Sequence, residues 1–406
     1  MSNKKLEQLK NIAQIILPRG DLILWICTLF LSITSIVYIF SASTNLEVIN
    51  DEKTVIDHTR KHFLFILAGL LVMRLLLVIK YEYFGRLNKF LALPLFFALL
   101  IWAAVSGQEI SGASASRWVK ITEGVQIQPS VFIYLSLIIY ICSYLASKKF
   151  QPKNFKAHFW QLFLPITVIS GIILKDNGST AGIILLVSIV VMILGQLSLK
   201  YISVFFGGTA LLVLLYCSAA LYTDWLPGSN RVHTWKSRIE SFLKDGGNNY
   251  QAERAEAAIV HGGISGQGPG KSALKQVLPQ SASDFIFAII IEEYGLFGGS
   301  FIFLFYTIIL VRIIMIARNT SSFFGSLLVL SIGVMLFVQL AINISVAIGI
   351  FPVTGQPLPL ISYGGTSMLV TYVQLGIVLN ISSRIQMRNE EGIGKKQKFE
   401  KITDIA

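Results

Sequence analysis

The feature that most constrains this chain is a series of long apolar runs, each separated from the next by a polar or charged segment. A helix needs about 20 apolar residues to cross a bilayer core of roughly 30 Å, and it satisfies its backbone hydrogen bonds within one segment. We therefore predict ten membrane-spanning helices, at approximately residues 22–43, 62–79, 88–106, 130–147, 158–174, 180–198, 201–222, 296–317, 324–347 and 360–382. The predicted fold class is an all-α integral membrane protein.

The basic residues decide the predicted orientation. Lys and Arg cluster in the connections after the second, fourth and eighth spans and in the C-terminal tail. Cytoplasmic loops carry the excess of Lys and Arg, and an even number of spans puts both termini on one side. Both termini are therefore predicted to be cytoplasmic. The predicted parts are an amphipathic N-terminal segment (1–20), a membrane domain (21–383) with a large extracytoplasmic loop (223–283) between helices 7 and 8, and a basic tail (384–406).

The net charge of +12 does not indicate nucleic-acid binding. The basic residues lie in short loops and tails between apolar spans, as topology signals do. A composition of 54% hydrophobic and 14% charged residues excludes a soluble domain. Cys27, Cys142 and Cys217 lie in separate apolar spans, so they predict neither a disulfide framework nor a metal site.

A lone carboxylate, Asp284, stands where the longest polar stretch meets an intensely apolar one. The apolar run 284–317 also contains Glu292 and Glu293, and ionisable groups at membrane depth usually mark a site. A continuous helix over this run would be about 50 Å long at 1.5 Å per residue, which exceeds the bilayer core. We therefore predict a short helix from 284 to 293, at the membrane face or lining a cavity, before the span proper. The break is predicted at Gly295, Gly298 and Gly299.

Two polar connections have the pattern of ordered, functional loops. In the loop 223–283, residues 250–260 predict a helix, and a glycine run follows at 262–270. Glycines there suit either a sharp turn or the approach of a ligand to the backbone. The connection 343–367 is rich in proline and glycine at the mouth of a span, which predicts irregular backbone packed in protein or lining a cavity. This would suit a lipid-linked or polar substrate.

Several spaced motifs occur together in one order, and on them the chain resembles the SEDS family (shape, elongation, division and sporulation), which contains FtsW, RodA and SpoVE. The motifs are Arg117-Trp118 with Gln128-Pro129-Ser130; Tyr250-Gln251; Gly262-Gly263 with Gly266 and Gly268; Leu278-Pro279 with Asp284-Phe285; Glu292-Glu293-Tyr294-Gly295; and Thr354-Gly355 with Leu358-Pro359 and Ser362-Tyr363-Gly364-Gly365. The resemblance covers essentially all ten predicted spans and favours the FtsW branch over RodA.

The resemblance implies a peptidoglycan glycosyltransferase that polymerises lipid II at the outer face of the bacterial cytoplasmic (inner) membrane. It implies a class B penicillin-binding protein as crosslinking partner, together with lipid-linked nascent glycan, membrane lipid and other division or elongation proteins. The family's essential carboxylate falls on Asp284. Chemistry supports that role, because the acceptor's 4-hydroxyl must lose its proton as it attacks and a carboxylate can be the general base.

The lipid pyrophosphate leaving group requires cations nearby. Candidates are Arg117, Arg231, Arg238, Lys271 and Lys275. Of these we favour Arg117 and Arg238, because Arg can bind phosphate bidentately. A divalent cation, Mg²⁺ or Mn²⁺, could share the task, but no ligand cluster in the sequence identifies a metal site. Further substrate-binding candidates are Tyr250, Gln251, Glu292, Glu293, Asn343, Thr354 and Ser362. For the two glutamates, a structural role is equally open.

The chain departs from the family pattern at two places. Val131 and Tyr134 stand where much of the family has Glu and Lys, so a role assigned to that pair does not carry over. In the family's Pro-Asp-x-Gly-Thr turn, either Asn177 or Asp176 takes the place of the Asp. Two other functions remain open: a lipid II translocase, since broken helices suit a transporter, and a non-catalytic scaffold for the transpeptidase.

Overall fold

The computed structural model describes residues 19–43, 53–106, 119–122, 125–147, 150–151, 153–222, 232–233, 235–237, 240, 250–273, 275 and 282–403. Its helices are α1 (Leu22–Ser43), α2 (Lys53–Leu76), α3 (Glu82–Leu87), α4 (Leu93–Ser106), α5 (Pro129–Leu145), α6 (Phe155–His158), α7 (Leu164–Asp176), α8 (Gly178–Leu194), α9 (Leu199–Tyr222), α10 (Tyr250–Gly262), α11 (Ile286–Asn319), α12 (Phe323–Ala347) and α13 (Gly365–Thr403). π-Helical turns, Asn88–Ala92 and Phe159–Phe163, join α3 to α4 and α6 to α7. The predicted amphipathic segment lies almost wholly outside these residues.

The chain is mostly helical, which confirms the predicted class. Within the described ranges, seven helical stretches are long and apolar enough to cross a membrane, and α5 and α8 are shorter apolar helices. The protein is therefore a multi-pass membrane protein, while the count of ten spans stays a prediction. One element was not predicted: β1 (Val119–Thr122) pairs antiparallel with β2 (Val125–Ile127). Strands of four and three residues are too short to show the alternation that identifies a strand.

Two helices begin away from the approximate starts predicted for their spans. The second span was predicted from 62, but α2 begins at Lys53. The last span was predicted from 360, but α13 begins at Gly365. Pro359 disfavours helical backbone in the preceding residue, and Leu360 adopts a left-handed φ of 64°, so the chain stays irregular up to the glycine pair. Beyond residue 384, α13 continues into the predicted basic tail.

The predicted break in the long apolar run is confirmed at Gly295, where φ is 70° and ψ is −174° inside α11. Gly298 and Gly299, in the same predicted stretch, continue the helix. One residue with positive φ is enough to redirect the chain, and glycine adopts it without steric cost. The segment 286–293 is buried at every position. It therefore lies inside the protein, neither at the membrane face nor along an open cavity.

The core lies where α5, α11, α12 and α13 meet, and α5 is buried along almost its whole length. Helix α13 packs along α2, while α11 packs against α1, α10 and α12. In contrast, only Ile202 and Ala220 of α9 are buried. An apolar helix with so little protein contact presents most of its surface to lipid.

At the far end of the bundle from Asp284, polar side chains tie the helices together. The Arg312 guanidinium pairs with Asp21, which also accepts a hydrogen bond from the Leu24 amide at 2.9 Å. The Asn380 side-chain amide donates to the carbonyl oxygens of Leu76 and Ile79, at 2.6 and 2.5 Å.

Candidate functional site

Asp284 lies in the turn immediately before α11 and is partly buried. The Ser283 hydroxyl donates to its Oδ1 at 2.8 Å. On the other side of the carboxylate lies Gly355, where an added Cβ would be 3.4 Å from Asp284 Oδ2. The carboxylate therefore stands between the start of α11 and the proline- and glycine-rich segment that precedes α13.

That segment holds the backbone just before Asp284. The Tyr363 amide donates to the Ala282 carbonyl at 3.0 Å, and the Ser362 hydroxyl donates to the Ser283 carbonyl at 2.6 Å. Ser362 Oγ also accepts from the Leu358 amide at 2.7 Å. Ser362 is only 3% exposed, so this predicted substrate-binding residue orders two backbone segments.

The third consecutive carbonyl, that of Asp284 itself, accepts from Asn343 Nδ2 at 3.0 Å. The same amide donates to the Gln356 carbonyl at 2.8 Å. The Gln356 side chain then donates to Thr180 Oγ1 at 3.1 Å, and the Thr180 amide donates to Asn177 Oδ1 at 3.2 Å. Asn177 is thus the N-cap of α8, and the network connects the backbone at Asp284 to the start of that helix. The side chain of Asp176, the alternative position, lies outside the described residues.

Two histidines that sequence reasoning missed pack beside this segment. The His58 and Tyr363 rings stack with centroids 5.2 Å apart, and the His62 ring lies 6.1 Å from Tyr363 and 2.9 Å from Ser35 Oγ. Burial raises the pKa of the Tyr363 phenol, which stays neutral at ordinary pH. The four-residue spacing of the histidines, which puts both rings on one helix face, is the signal that could have found them.

Glu292 is 2% exposed and holds the loop that follows the glycine run. Its carboxylate accepts from the Ser272 hydroxyl and from the Ala273 amide at 3.0 Å. These contacts satisfy a buried carboxylate with local donors, as burial requires. They favour the structural interpretation of Glu292 over substrate binding.

Glu293 is 1% exposed and lies in a second buried network. Its Oε1 accepts from the Ser41 hydroxyl at 2.6 Å and lies 4.0 Å from Lys275 Nζ. Lys275, proposed from sequence as a pyrophosphate ligand, also donates to the Gly270 carbonyl and is 9% exposed. The pair joins the loop to α1 and α11, and its charges are directed into the protein.

The glycine run packs directly on the backbone of the α11 kink. A Cβ added to Gly262 would lie 2.1 Å from the Ile291 carbonyl oxygen, and one added to Gly266 would lie 2.3 Å from that of Glu293. The Gln267 amide donates to the Glu292 carbonyl at 2.9 Å. These glycines allow close backbone contact, so the turn interpretation is favoured over ligand approach.

The remaining sequence candidates are placed only in part. Arg117, Arg231 and Arg238 lie outside the described residues, as does the side chain of Tyr250. Gln251 and Lys271 are exposed at the loop surface. Thr354 is 8% exposed, and its buried Oγ1 has no hydrogen-bond partner among the described residues.

In the described part of the chain, no group of three or more His, Cys, Asp or Glu residues could hold a metal ion. A cation at this site would therefore take most of its ligands from outside the described residues. Mg²⁺ is commonly bound by one or two carboxylates together with substrate phosphates and water. Among the described residues, the donor set fits that shared arrangement and does not fit a dedicated protein cage.

At Val131 and Tyr134, the two α5 positions that depart from the family pattern, the helix is apolar or nearly so. Tyr134 is 3% exposed, and its hydroxyl has no hydrogen-bond partner within the described residues. Val131 is partly buried and packs against the core. This part of α5 therefore supplies a buried phenol and an aliphatic side chain in place of two charges.

A membrane-spanning helical bundle, with one carboxylate held at its end by tightly bonded backbone, defines a polytopic membrane protein with a candidate catalytic site. The cell cycle protein family that comprises FtsW, RodA and SpoVE matches residues 21–387, and the chain belongs to this family.

Curated relatives agree with that assignment. The probable peptidoglycan glycosyltransferase FtsW of Enterococcus hirae is 30% identical over 289 residues, covering 68% of this chain and 70% of the relative. Stage V sporulation protein E of Bacillus subtilis is 28% identical over 365 residues, covering 89% and 96%.

Solved structures share the fold. A chain from a structure described as "Structural coordination of polymerization and crosslinking by a peptidoglycan synthase complex" superposes with a TM-score of 0.67 at 23% identity, covering 88% of this chain and 97% of that one. The rod shape determining protein RodA of Thermus thermophilus gives a TM-score of 0.59 at 22% identity, covering 87% and 95%.

Proposed function

We propose that this chain, a glycosyltransferase of cell-wall synthesis by its family and its curated relatives, polymerises lipid II with Asp284 as the general base. The observation that carries the proposal is the fixed backbone around one partly buried carboxylate. Three consecutive carbonyls, at residues 282, 283 and 284, each accept a hydrogen bond from another segment. Such support is what a catalytic group needs in order to keep a productive direction.

The proposed step is a displacement at the anomeric carbon of the donor. The acceptor's 4-hydroxyl loses its proton to the Asp284 carboxylate while its oxygen forms the new glycosidic bond. The bond from the anomeric carbon to the lipid pyrophosphate breaks, and the electron pair leaves with the pyrophosphate. A positioned general base contributes about 10²- to 10⁴-fold to such a rate.

The departing pyrophosphate needs positive charge. We assign this task first to Arg117 and Arg238, with Arg231 and the exposed Lys271 as further candidates. A divalent cation, Mg²⁺ or Mn²⁺, would have its ligation shared mainly between the substrate phosphates and water, because Asp284 serves the acceptor on the opposite face of the anomeric carbon. On this proposal, chelation lowers the rate and Mg²⁺ restores it, whereas Mg²⁺ alone does not raise the thermal midpoint of the substrate-free protein. Stabilisation by Mg²⁺ without substrate would contradict shared ligation.

We place the protein in the bacterial inner membrane, with Asp284 at the outer face and a class B penicillin-binding protein as partner. The superposed chain comes from a peptidoglycan synthase complex in which polymerisation and crosslinking are coordinated, and this supports such a partner. Lipid-linked nascent glycan, membrane lipid and other division or elongation proteins complete the proposed surroundings. The relatives named FtsW favour the cell-division branch.

The test uses the purified full chain, with and without its cognate transpeptidase, and labelled lipid II, with glycan products separated on a gel. Wild-type protein should give polymer, and Asp284→Asn should give none while it still inserts and binds the transpeptidase. The control is Asp57→Asn, since Asp57 is an exposed carboxylate that pairs with its neighbour Arg60 at 3.1 Å, and it should behave as wild type. Polymer from Asp284→Asn would overturn the base assignment. No polymer from wild type with its partner would favour transport or scaffolding.

A further inference from the structure

Asn343 is 1% exposed on α12, and its amide connects two distant segments. Nδ2 lies 3.0 Å from the Asp284 carbonyl and 2.8 Å from the Gln356 carbonyl. Since a primary amide nitrogen carries two hydrogens, both donors are used. The sequence suggested substrate binding for this residue, but its donors are directed at protein backbone.

We propose that Asn343 is a positioning residue that sets the direction of the Asp284 carboxylate, an inference that rests on the proposed function. Its bond is made to the carbonyl of residue 284 itself. Rotation of the backbone there would turn the side chain of the same residue. Since a misplacement of about 1 Å can cost about 10²-fold in rate, loss of this single hydrogen bond is expected to lower the rate of polymerisation.

The second bond of Asn343 sets the distance to the opposite side of the site. Gln356 follows Gly355, whose added Cβ would lie 3.4 Å from Asp284 Oδ2. The amide therefore spans the two segments between which the carboxylate lies, and fixes the space beside it. Ser362 and Tyr363 hold the two preceding carbonyls but make no such bridge to residue 356.

The chain contains a matched control for a purely structural role. Asn380 is also fully buried, and its Nδ2 donates to two backbone carbonyls, at 2.6 and 2.5 Å. It lies on α13, 15 residues beyond the start of that helix at Gly365, or about 22 Å along it at 1.5 Å per residue. Replacing either asparagine leaves two partly buried carbonyls without their donor, so the effects on folding are comparable.

The experiment compares Asn343→Ala with Asn380→Ala in the lipid II polymerisation assay, measuring kcat, KM and the thermal midpoint of each purified protein. Asn343→Ala should lower kcat by about 10²-fold with little change in KM, because the base is misdirected while substrate contacts remain. Asn380→Ala should lower the midpoint to a similar extent but keep the kcat of the wild type. Equal kcat in Asn343→Ala and wild type, or equal loss of kcat in both variants, would overturn the inference.

Asn343→Ser covers the case in which Asn343→Ala does not accumulate. Serine keeps a hydroxyl in the buried site but is too short to bridge both carbonyls, so the same fall in kcat is expected, and the kcat of the wild type would overturn the inference. Failure of the proposed function is distinguishable, because it would appear as polymer from Asp284→Asn or as no polymer from wild type. An inactive Asp284→Asn beside a fully active Asn343→Ser would reject the positioning role alone.

Discussion

Gly355 lies against the carboxylate of Asp284, so that an added Cβ would come within 3.4 Å of Oδ2. Gly355 has a φ of 70°, a backbone conformation that glycine adopts without steric cost. The position therefore combines a turn that favours glycine with a close approach of the backbone to the proposed base.

Gly355→Ala is expected to lower kcat by about 10²-fold, because the methyl group takes space beside Oδ2 that the acceptor hydroxyl needs. A left-handed alanine also costs about 1–2 kcal/mol of stability. Steady-state polymerisation and the thermal midpoint separate the two effects. The control is Gly270→Ala, where φ is 77° but no atom lies within 4 Å of the added Cβ. Equal kcat in the two variants would contradict a role for the space at Gly355.

The long apolar run shows how much of the fold the sequence could predict. A continuous helix over this run would be longer than the bilayer core is thick, so a break was required, and Gly295 supplies it. Gly298 and Gly299, in the same stretch, continue the helix, because one left-handed residue is enough to redirect it. The way the glycine run packs on the α11 kink depends on backbone contacts such as that of Gly266 with Glu293. No local sequence pattern encodes such contacts.

The site was predictable as a region but not in its internal roles. Resemblance and chemistry both selected Asp284, and the structure places Asn343, Ser362 and Thr354 in the same neighbourhood. Their roles depend on tertiary hydrogen bonds, such as that from Asn343 to a carbonyl 59 residues away. The residue type alone does not show whether a polar side chain binds substrate or protein backbone.

Gly295→Ala should strongly destabilise the protein, because the added Cβ would lie 2.2 Å from the Ile264 carbonyl oxygen and 2.5 Å from the Gly266 nitrogen. Both atoms are backbone and cannot move without opening the loop on α11. The loss should exceed the roughly 1–2 kcal/mol of left-handed strain alone. Thermal unfolding in detergent measures it. Gly182→Ala, with open space around the added Cβ, should be neutral or stabilise by up to about 1 kcal/mol. Equal midpoints for the two variants would contradict the close packing.

Tyr134→Phe should stabilise the protein by about 1 kcal/mol, because its buried hydroxyl has no partner among the described residues and therefore carries an uncompensated desolvation cost. The matched comparison is Tyr372→Phe. Tyr372 is equally buried, but its hydroxyl lies 2.6 Å from Ser32 Oγ, so its loss should cost about 0.5–1.5 kcal/mol. Denaturant unfolding of both variants gives the two changes in free energy. A loss of stability in Tyr134→Phe would show that its hydroxyl has a partner after all.

Lys275→Met should destabilise the protein by about 3–5 kcal/mol, because it leaves Glu293 buried without its cation. The two side chains are only 6% and 0% exposed, with Nζ and Oε1 4.0 Å apart. Adding Glu293→Gln to Lys275→Met should recover part of the loss, since the double variant buries no unpaired charge.

The surface pair Lys236–Glu240, with the two charged atoms 3.9 Å apart and both side chains about half exposed, provides the control. Lys236→Met should cost at most about 1 kcal/mol. If the two single losses of stability simply add in the double variant, Lys275 and Glu293 act independently. The loop would then be held to α1 by Ser41 and the backbone instead of by the ion pair.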